Sequence, residues 1–349
     1  MSAEALQAAV RRLAFGESLT GAEAAGAFGE IMRGEGTPAL IAALLTGLRV
    51  KGETAEEVAG AARALREAMV TLPAERADDL VDTCGTGGGR VLTFNISTAA
   101  ALLAAGAGVR VAKHGNRSFT SQCGSADVLE ALGVVIEAPV EVMAQSLDRA
   151  GIVFMFAPRM HPAMRHVGPI RRELAIPTVM NIVGPLANPA RAGRQVVGVA
   201  EERRLSLLAG ALAELGTTHA LIVHGAPGMD EISPLGVTQV VEVRGGGIRT
   251  WEIRPEAHGL LAGSEDELAG GSPAANAAVI EDVLAGGGAA GARSAVLLNA
   301  AAALYVAGVV DDYGAGVELA REALDDGKGL EALRRLRDAF AAPEPTTVQ

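Results

Sequence analysis

Aromatic side chains are scarce in this chain of 349 residues: one Trp, two Tyr and seven Phe, or 3% of the sequence. The core must therefore be filled by Ala, Leu, Val and Ile, small or medium side chains that favour close helix–helix contact. Cysteine is nearly absent. Cys84 and Cys123 are too few for a disulfide scaffold and point to a reducing, cytoplasmic setting. Positive charge is outnumbered, with 30 Lys and Arg against 41 Asp and Glu, a net charge of −11. That balance excludes a general nucleic-acid surface, which needs a basic stripe. It leaves room for a phosphorylated small molecule held by a local donor cluster or a metal. Long apolar runs are missing too. The longest, Ala295 to Val310, is 16 residues and contains Asn299, short of the roughly 20 that a membrane span needs. It reads as a buried helix. The N-terminus, MSAEALQAAVRRL, reads as an amphipathic helix and not as a signal peptide.

The apolar spacing predicts helices over 3–14, 21–33, 38–50 and 54–70, punctuated by Gly34, Gly36, Thr37-Pro38 and Gly52. After Leu72-Pro73 strands alternate with helices. Strands are expected at 80–83, 109–112, 152–156, 195–200 and 220–223, with helices from about Ser97, near 126–132, over 140–150 and from Glu202. Such alternation predicts an α/β unit around a largely parallel sheet, with ligands at the carboxyl ends of its strands. Val237–Val243 and Ile248–Ile253 read as a hairpin, and three or four helices close the chain. Residues 158–195 hold six of the 15 prolines. This stretch is expected to leave the sheet and cross back to the N-terminal helices. The organisation expected is thus a helical domain over 1–72 joined by 158–195, an α/β domain over 73–157 and 196–342, and a tail over 343–349.

Three elements carry chemistry. Gly85-Thr86-Gly87-Gly88-Gly89 follows a strand, where glycines let backbone N–H groups approach an anion. Asn95-Ile96-Ser97-Thr98 then opens a helix whose N-terminal amides suit phosphate, with Ser or Thr as a cap. In a chain with 44 glycines, such a loop alone is more often a plain turn. It matches neither the P-loop nor the dinucleotide fingerprint. Next, Lys113-His114-Gly115-Asn116-Arg117-Ser118-Phe119-Thr120-Ser121 packs cations, an amide and hydroxyls at a strand end, an array equally open to being a solvated loop. Last, Asp230-Glu231 offers hard oxygen ligands suited to Mg²⁺, or simply surface charge.

The three in this order resemble the anthranilate phosphoribosyltransferase family, and the likeness runs through Asp82–Gly88, Asn95–Thr98, Lys113–Asn116, Gly124–Gly133, His161-Pro162, Arg171–Glu173, Asn181–Pro189, His224–Glu231 and Leu298–Ala300. The resemblance implies a small helical domain plus a larger α/β domain, an active site between them, and a homodimer formed through the helical domain. It implies that Gly85, Gly88, Gly89, Thr93, Asn95, Ile96, Ser97, Thr98, Lys113, His114, Gly115, Asn116, Arg117, Ser118, Phe119, Thr120, Ser121 and Ser125 hold phosphoribosyl diphosphate. Gly85, Asn116, Ala157, Pro158, His161 and Arg171 would face anthranilate, with Arg171 on its carboxylate and His161 either orienting it or purely structural. Ser97, Asp230 and Glu231 would bind Mg²⁺, two ions per site. No residue is assigned as a general acid or base, because an aromatic amine is nucleophilic when neutral. Membrane and nucleic acid are not expected as partners. Two departures stand out. Gly89 replaces the usual Asp at the end of the loop, and Met160 and Met164 stand where aromatics are common. The alternatives at this stage are a non-catalytic or altered-specificity paralogue and a pyrimidine nucleoside phosphorylase.

Overall fold

A computed structural model describes residues 3–118 and 122–340. Phe119, Thr120 and Ser121, and the tail at 343–349, lie outside the described residues. Helices α1 (Glu4–Ala14), α2 (Gly21–Met32), α3 (Pro38–Lys51) and α4 (Ala55–Ala68) form within two residues of their expected bounds. Their starts are encoded locally. Thr20 and Thr54 close capping boxes with Glu23 and Glu57, and Thr37 caps α3 just ahead of Pro38. Glu57 does a second task. Fully buried, it accepts the Leu19 N–H at 2.8 Å and the Lys51 ammonium at 2.9 Å, so it ties three of these helices together.

The α/β unit holds seven strands: β1 (Val81–Gly85), β2 (Val111–Gly115), β3 (Ile152–Phe156), β4 (Arg194–Gly198), β5 (His219–Gly225), β6 (Thr238–Arg244) and β7 (Gly247–Ile253). Their order is β3-β2-β1-β4-β5-β6-β7. The first five run parallel, while β6 and β7 are antiparallel and joined by a hairpin through Gly245 and Gly246, both at positive φ. The order reverses direction at β1 and β4, which opens a crevice at their carboxyl ends.

Around the sheet lie α5 (Ile96–Gly106), α6 (Ser125–Ala131), α7 (Val140–Ala150), the short α8 (Ala157–Met160), α9 (Gly168–Leu174), α10 (Met180–Val183), α11 (Leu205–Glu214), α12 (Pro273–Leu284), α13 (Ala290–Ala307), α14 (Tyr313–Asp325) and α15 (Lys328–Asp338). Strand alternation divides the core. Val196, Leu221, Val223 and Val240 pack with α5 and α13 on one face. Val197, Ile222, Val241 and Val243 pack on the other with α11, the N-terminal helices and Val167, Ile170, Val179 and Ile182 of the proline-rich stretch. Helix α13 has the length and composition to cross a membrane, but 83% of it is buried inside the fold, apolar on every side.

One boundary needs correcting in a way that matters for the site. β2 is not Val109–Ala112. It runs Val111–Gly115 and pairs rung for rung with Ile152–Phe156. Lys113, His114 and Gly115 are therefore strand residues, the first two buried. Apolar patterning misses this because the pairing with β3, and not side-chain hydrophobicity, draws them into the ladder.

At the far end of the sheet all the Trp and Tyr residues gather around one acid. Glu242, fully buried, accepts from Tyr305 Oη and Trp251 Nε1, both at 2.9 Å, from Arg249 Nε at 2.9 Å and from His219 Nε2 at 3.0 Å. Tyr313 packs edge-on against Trp251 at 5.9 Å. Removing the acceptor strands four donors, so Glu242→Ala is expected to cost about 3–5 kcal/mol of stability. Urea unfolding followed by the fluorescence of Trp251 checks this; a loss under about 1 kcal/mol would show that the network is dispensable.

Candidate active site

Four of the five parallel strands end in glycine: Gly85, Gly115, Gly198 and Gly225. At three of them the reason is a single peptide. A Cβ at Gly85 would collide with the Asp230 carboxylate, one at Gly198 with the Asp230 carbonyl, and one at Gly225 with the Glu231 carbonyl. Only bare backbone at the ends of β1, β4 and β5 lets Asp230-Glu231 lie across them. The glycine loop is laced to this peptide. Gly87 N–H donates to Asp230 Oδ2 at 2.8 Å, and Arg90 N–H donates to the Gly228 carbonyl at 2.8 Å. Gly87 and Gly88 themselves have positive φ, and a Cβ on either would meet nothing within 4 Å. This part of the loop is the open, left-handed backbone on which an anion can sit.

The two acids are buried side by side. Burial raises the pKa of both, and repulsion from Asp230 pushes Glu231 further up. The Gly87 N–H stabilises the charge of Asp230, and the Thr93 hydroxyl and Lys113 that of Glu231. Glu231 Oε1 accepts Thr93 Oγ1 at 3.1 Å, while Glu231 Oε2 is buried with no partner. Asn299, from the middle of α13, holds the next residue by both sides of its peptide, accepting the Ile232 N–H at 3.0 Å and donating to the Ile232 carbonyl at 2.8 Å. Ser97 lines the same small cavity as Asp230 and Glu231. An orphaned carboxylate oxygen, a second carboxylate and a hydroxyl form the hard-oxygen donor set that Mg²⁺ takes. No group of three or more His, Cys, Asp or Glu converges among the described residues, so the remaining ligands must be substrate oxygens or water. A Cβ at position 89 would lie 3.1 Å from Asp230 Oδ1; an Asp there would add a third carboxylate to this pair.

Helix α5 begins at Asn95, which sits in the left-handed region (φ 68°) and makes no side-chain cap. The expectation of a Ser or Thr cap is thus not met. The Asn95 amide turns away to the Cys123 carbonyl at 3.1 Å and receives Asn276 Nδ2 at 2.8 Å. The first amides of α5 are left without a capping side chain, ready for an anion. Ile96 is wholly buried and can offer only its backbone, while the Thr98 hydroxyl is buried without a partner. Lys113, in the middle of β2, sends its ammonium to the Thr83 carbonyl and to Ser97 Oγ at 3.4 Å. Burial lowers its pKa, offset by the charges of Asp82, Cys84 and Glu231.

Beyond Lys113 the grouping changes. The His114 ring packs on the His161 ring, with centroids 4.9 Å apart. His114 therefore stands with a residue expected to face the acceptor. Asn116 lends its carbonyl to Ser125 Oγ at 3.3 Å. Arg117 is committed elsewhere. Its guanidinium lies between Asp127 and Glu130 and over the Phe156 ring, so its charge is already neutralised. Ser118 N–H donates to Asp127 Oδ2 at 3.2 Å. Ala157 and Pro158 follow β3, whose last residue pairs with Gly115. Arg171, on α9, is largely buried. Burial alone lowers its pKa, and it has no ion pair or side-chain hydrogen bond among the described residues. Met160 is fully buried with Ala112 and Val153, while Met164 packs against the helical cluster.

Four tethering residues have no role in the sequence reading: Asp82, Asn188, Asn276 and Asn299. A fully buried Asp or Asn must be hydrogen-bonded, and Asn299 inside an apolar helix was the visible signal. The other three lack such a contrast with their neighbours.

Residues 77–330 match the glycosyl transferase family, a/b domain, and residues 7–69 its helical bundle domain. The chain is 51% identical over 334 residues to the anthranilate phosphoribosyltransferase of Chloroflexus aggregans, covering 95% of this chain and 96% of that protein. The crystal structure of anthranilate phosphoribosyltransferase from Thermus thermophilus superposes with a TM-score of 0.90 at 43% identity, covering 96% of this chain and 99% of that one. The Saccharomyces cerevisiae enzyme in complex with PRPP and Mg gives a TM-score of 0.85 at 27% identity, covering 96% and 97%.

Burial makes the two facing imidazoles neutral. It brings the pKa of His114 down to about 3, helped by His161 and Lys113, and that of His161 down to about 4. Both should remain unprotonated as pH falls from 8 to 5. NMR titration of their ring resonances checks this, and a midpoint above 6 for either would contradict the burial argument.

Proposed function

The chain belongs to the anthranilate phosphoribosyltransferase family, and on that premise we propose how its own residues share the reaction. It is a magnesium-using transferase that moves the phosphoribosyl group of 5-phosphoribosyl 1-diphosphate onto the amine of anthranilate, releasing diphosphate, in tryptophan biosynthesis. The nucleoside phosphorylase and non-catalytic readings gain no support from the relatives.

The donor lies at the β1–β4 crevice. Gly87 and Gly88 of the loop Gly85–Gly89, the uncapped start of α5 and the buried Lys113 supply N–H groups and charge for its phosphates. Thr93 and Asn95 serve it indirectly, one by holding Glu231 and the other by bracing the end of the loop at Cys123. Asp230, Glu231 and Ser97 would hold Mg²⁺, two ions per site. When bound, the metal neutralises the charge that builds on the departing diphosphate. The acceptor lies against His114, Asn116, Ala157, Pro158 and His161, with its carboxylate on Arg171. The anthranilate amine, an arylamine neutral at physiological pH, attacks the ribose carbon as the bond to diphosphate breaks, and its surplus proton passes to water or the departing diphosphate, while the neutral imidazoles add no competing charge. The protein's part is positioning and electrostatics, without a dedicated general base.

With the chain divided into a helical domain over 1–72 and 158–195 and an α/β domain over the rest, His161 and Arg171 belong to one side of the cleft and the donor residues to the other. A homodimer forms through the helical domain. Phe15 and Val50, 83% and 80% exposed at the ends of α1 and α3, are the most exposed large apolar side chains among the described residues of that domain. The working compartment is the cytoplasm, and the partners are small molecules, with neither nucleic acid nor membrane among them.

The observation that carries the acceptor half is Arg171, a largely buried guanidinium without a carboxylate partner among the described residues of an acidic protein. Phosphoribosylanthranilate formation, followed by loss of anthranilate fluorescence with donor and Mg²⁺ present, tests the reading as a whole. In that assay Arg171→Ala is expected to raise the KM for anthranilate about ten- to a hundredfold, as loss of a charge-assisted hydrogen bond does, and to leave the donor KM nearly unchanged. An unaltered KM for anthranilate would remove Arg171 from the site.

A further inference from the structure

Strands β1 and β2 lie side by side but are laddered at one rung only, Val81 with Val111, whereas β1–β4, β2–β3 and β4–β5 each pair over five. Beyond that rung, side chains occupy the seam. Asp82, fully buried on β1, takes the His114 N–H onto Oδ1 at 3.1 Å. Asn188 Nδ2 donates to Asp82 Oδ2 at 2.8 Å and to the Ala112 carbonyl at 2.8 Å. The Thr83 carbonyl, in turn, takes the Lys113 ammonium. The polar groups of β2 that face β1 are thus satisfied by a carboxylate and an amide wedged between the strands.

Both ends of the wedge are fixed. Asn188 is itself buried, and its Oδ1 accepts the Ala190 N–H at 2.9 Å and the Ala192 N–H at 3.4 Å. It belongs to the proline-rich stretch that also carries His161 and Arg171. Asp82 sits three residues before the glycine loop. Three segments therefore meet at one buried point: the strand leading to the donor loop, the strand carrying Lys113 and His114, and the stretch carrying the acceptor side chains. A plain core filler would not need to interrupt a parallel ladder, since backbone pairing would satisfy the same groups.

We propose that Asp82 and Asn188 are positioning residues that splay β1 from β2 and thereby set His114 against His161 on the acceptor side of the cleft. Neither touches substrate. They act through the backbone of β2, which carries the His114 ring, and through the stretch that carries His161. Without Asn188, β2 loses the tie that joins its backbone to the proline-rich stretch at Ala112 and Asp82, and the two imidazoles are left to ring contacts alone to set their separation. Lys113, although on the same strand, keeps its own ties to Thr83 and Ser97, and Gly87, Gly88 and the start of α5 lie outside this seam, so the donor side keeps its place.

The inference rests on the acceptor reading above, and the test separates the two. Steady-state kinetics of Asn188→Ala are measured for both substrates, with thermal melting to confirm that the variant is folded. The expected result is an anthranilate KM raised by about tenfold, equivalent to the loss of one buried hydrogen bond and its geometry, with the donor KM within about twofold of the natural protein. Should Asn188→Ala not fold, Asn188→Ser, which keeps a smaller donor at the same point, is held to the same split. A lowered melting temperature and kcat with both KM values unchanged, or equal rises in both, would mean that the pair is structural only and would overturn the proposal. If Arg171→Ala raises the anthranilate KM and the Asn188 variant does not, this inference alone fails. If neither raises it, the acceptor reading fails first.

Discussion

The site is organised around one peptide, Asp230-Glu231, laid across the carboxyl ends of β1, β4 and β5. Its seat exists because Gly85, Gly198 and Gly225 have no side chains to exclude it. Asn299 grips the peptide immediately after it from within α13. The glycine loop takes its shape from the same acids, through the Gly87 N–H on Asp230. Two carboxylates placed together in a poorly solvated crevice repel each other, and burial opposes the charge of both. Lys113 is the cation acting on Glu231, and it is itself held by Thr83 and Ser97. The arrangement is electrostatically incomplete until cations enter with the donor, which suits a protein whose substrate arrives as a metal–diphosphate.

That constraint explains how an acidic chain binds a polyanion. The chain is acidic overall, with a net charge of −11, while the crevice presents backbone N–H groups, a helix start and one buried lysine. Arg117, one of the residues expected at the donor, is paired with Asp127 and Glu130, whereas Lys113 is buried in a strand beside Ser97. On the acceptor side the logic is reversed. Among the described residues Arg171 has no carboxylate partner, and burial holds the pKa of His114 and His161 down, which fits the acceptor role proposed for them.

Much of the fold was legible in the sequence because its signals are local. Thr20, Thr37 and Thr54 mark helix starts, Gly245-Gly246 marks a hairpin, and β3 reads as a continuous apolar run. Motif order pointed to one place: the glycine loop, the opening of α5, Lys113 and the acid pair lie together at the carboxyl ends of the central strands β1 and β4 or beside them. What escaped was non-local. Lys113 and His114 read as loop residues, since only their pairing with β3 makes them strand. The turning of Asn95 towards Asn276, 181 residues away, leaves no trace in either segment. Asp82 and Asn188, 106 residues apart, are likewise related only by the seam they share.

We propose that Asp230 and Glu231 hold the metal that accompanies the donor. Crystals grown with phosphoribosyl diphosphate and Mn²⁺ in place of Mg²⁺ test it directly, since anomalous scattering locates the ion without reference to kinetics. The expected result is an ion at direct coordination distance, about 2.1 Å, from a carboxylate oxygen of Asp230 or Glu231, with the unpartnered Glu231 Oε2 the first candidate. Metal found only on the diphosphate, with both carboxylates outside its coordination sphere, would contradict the account.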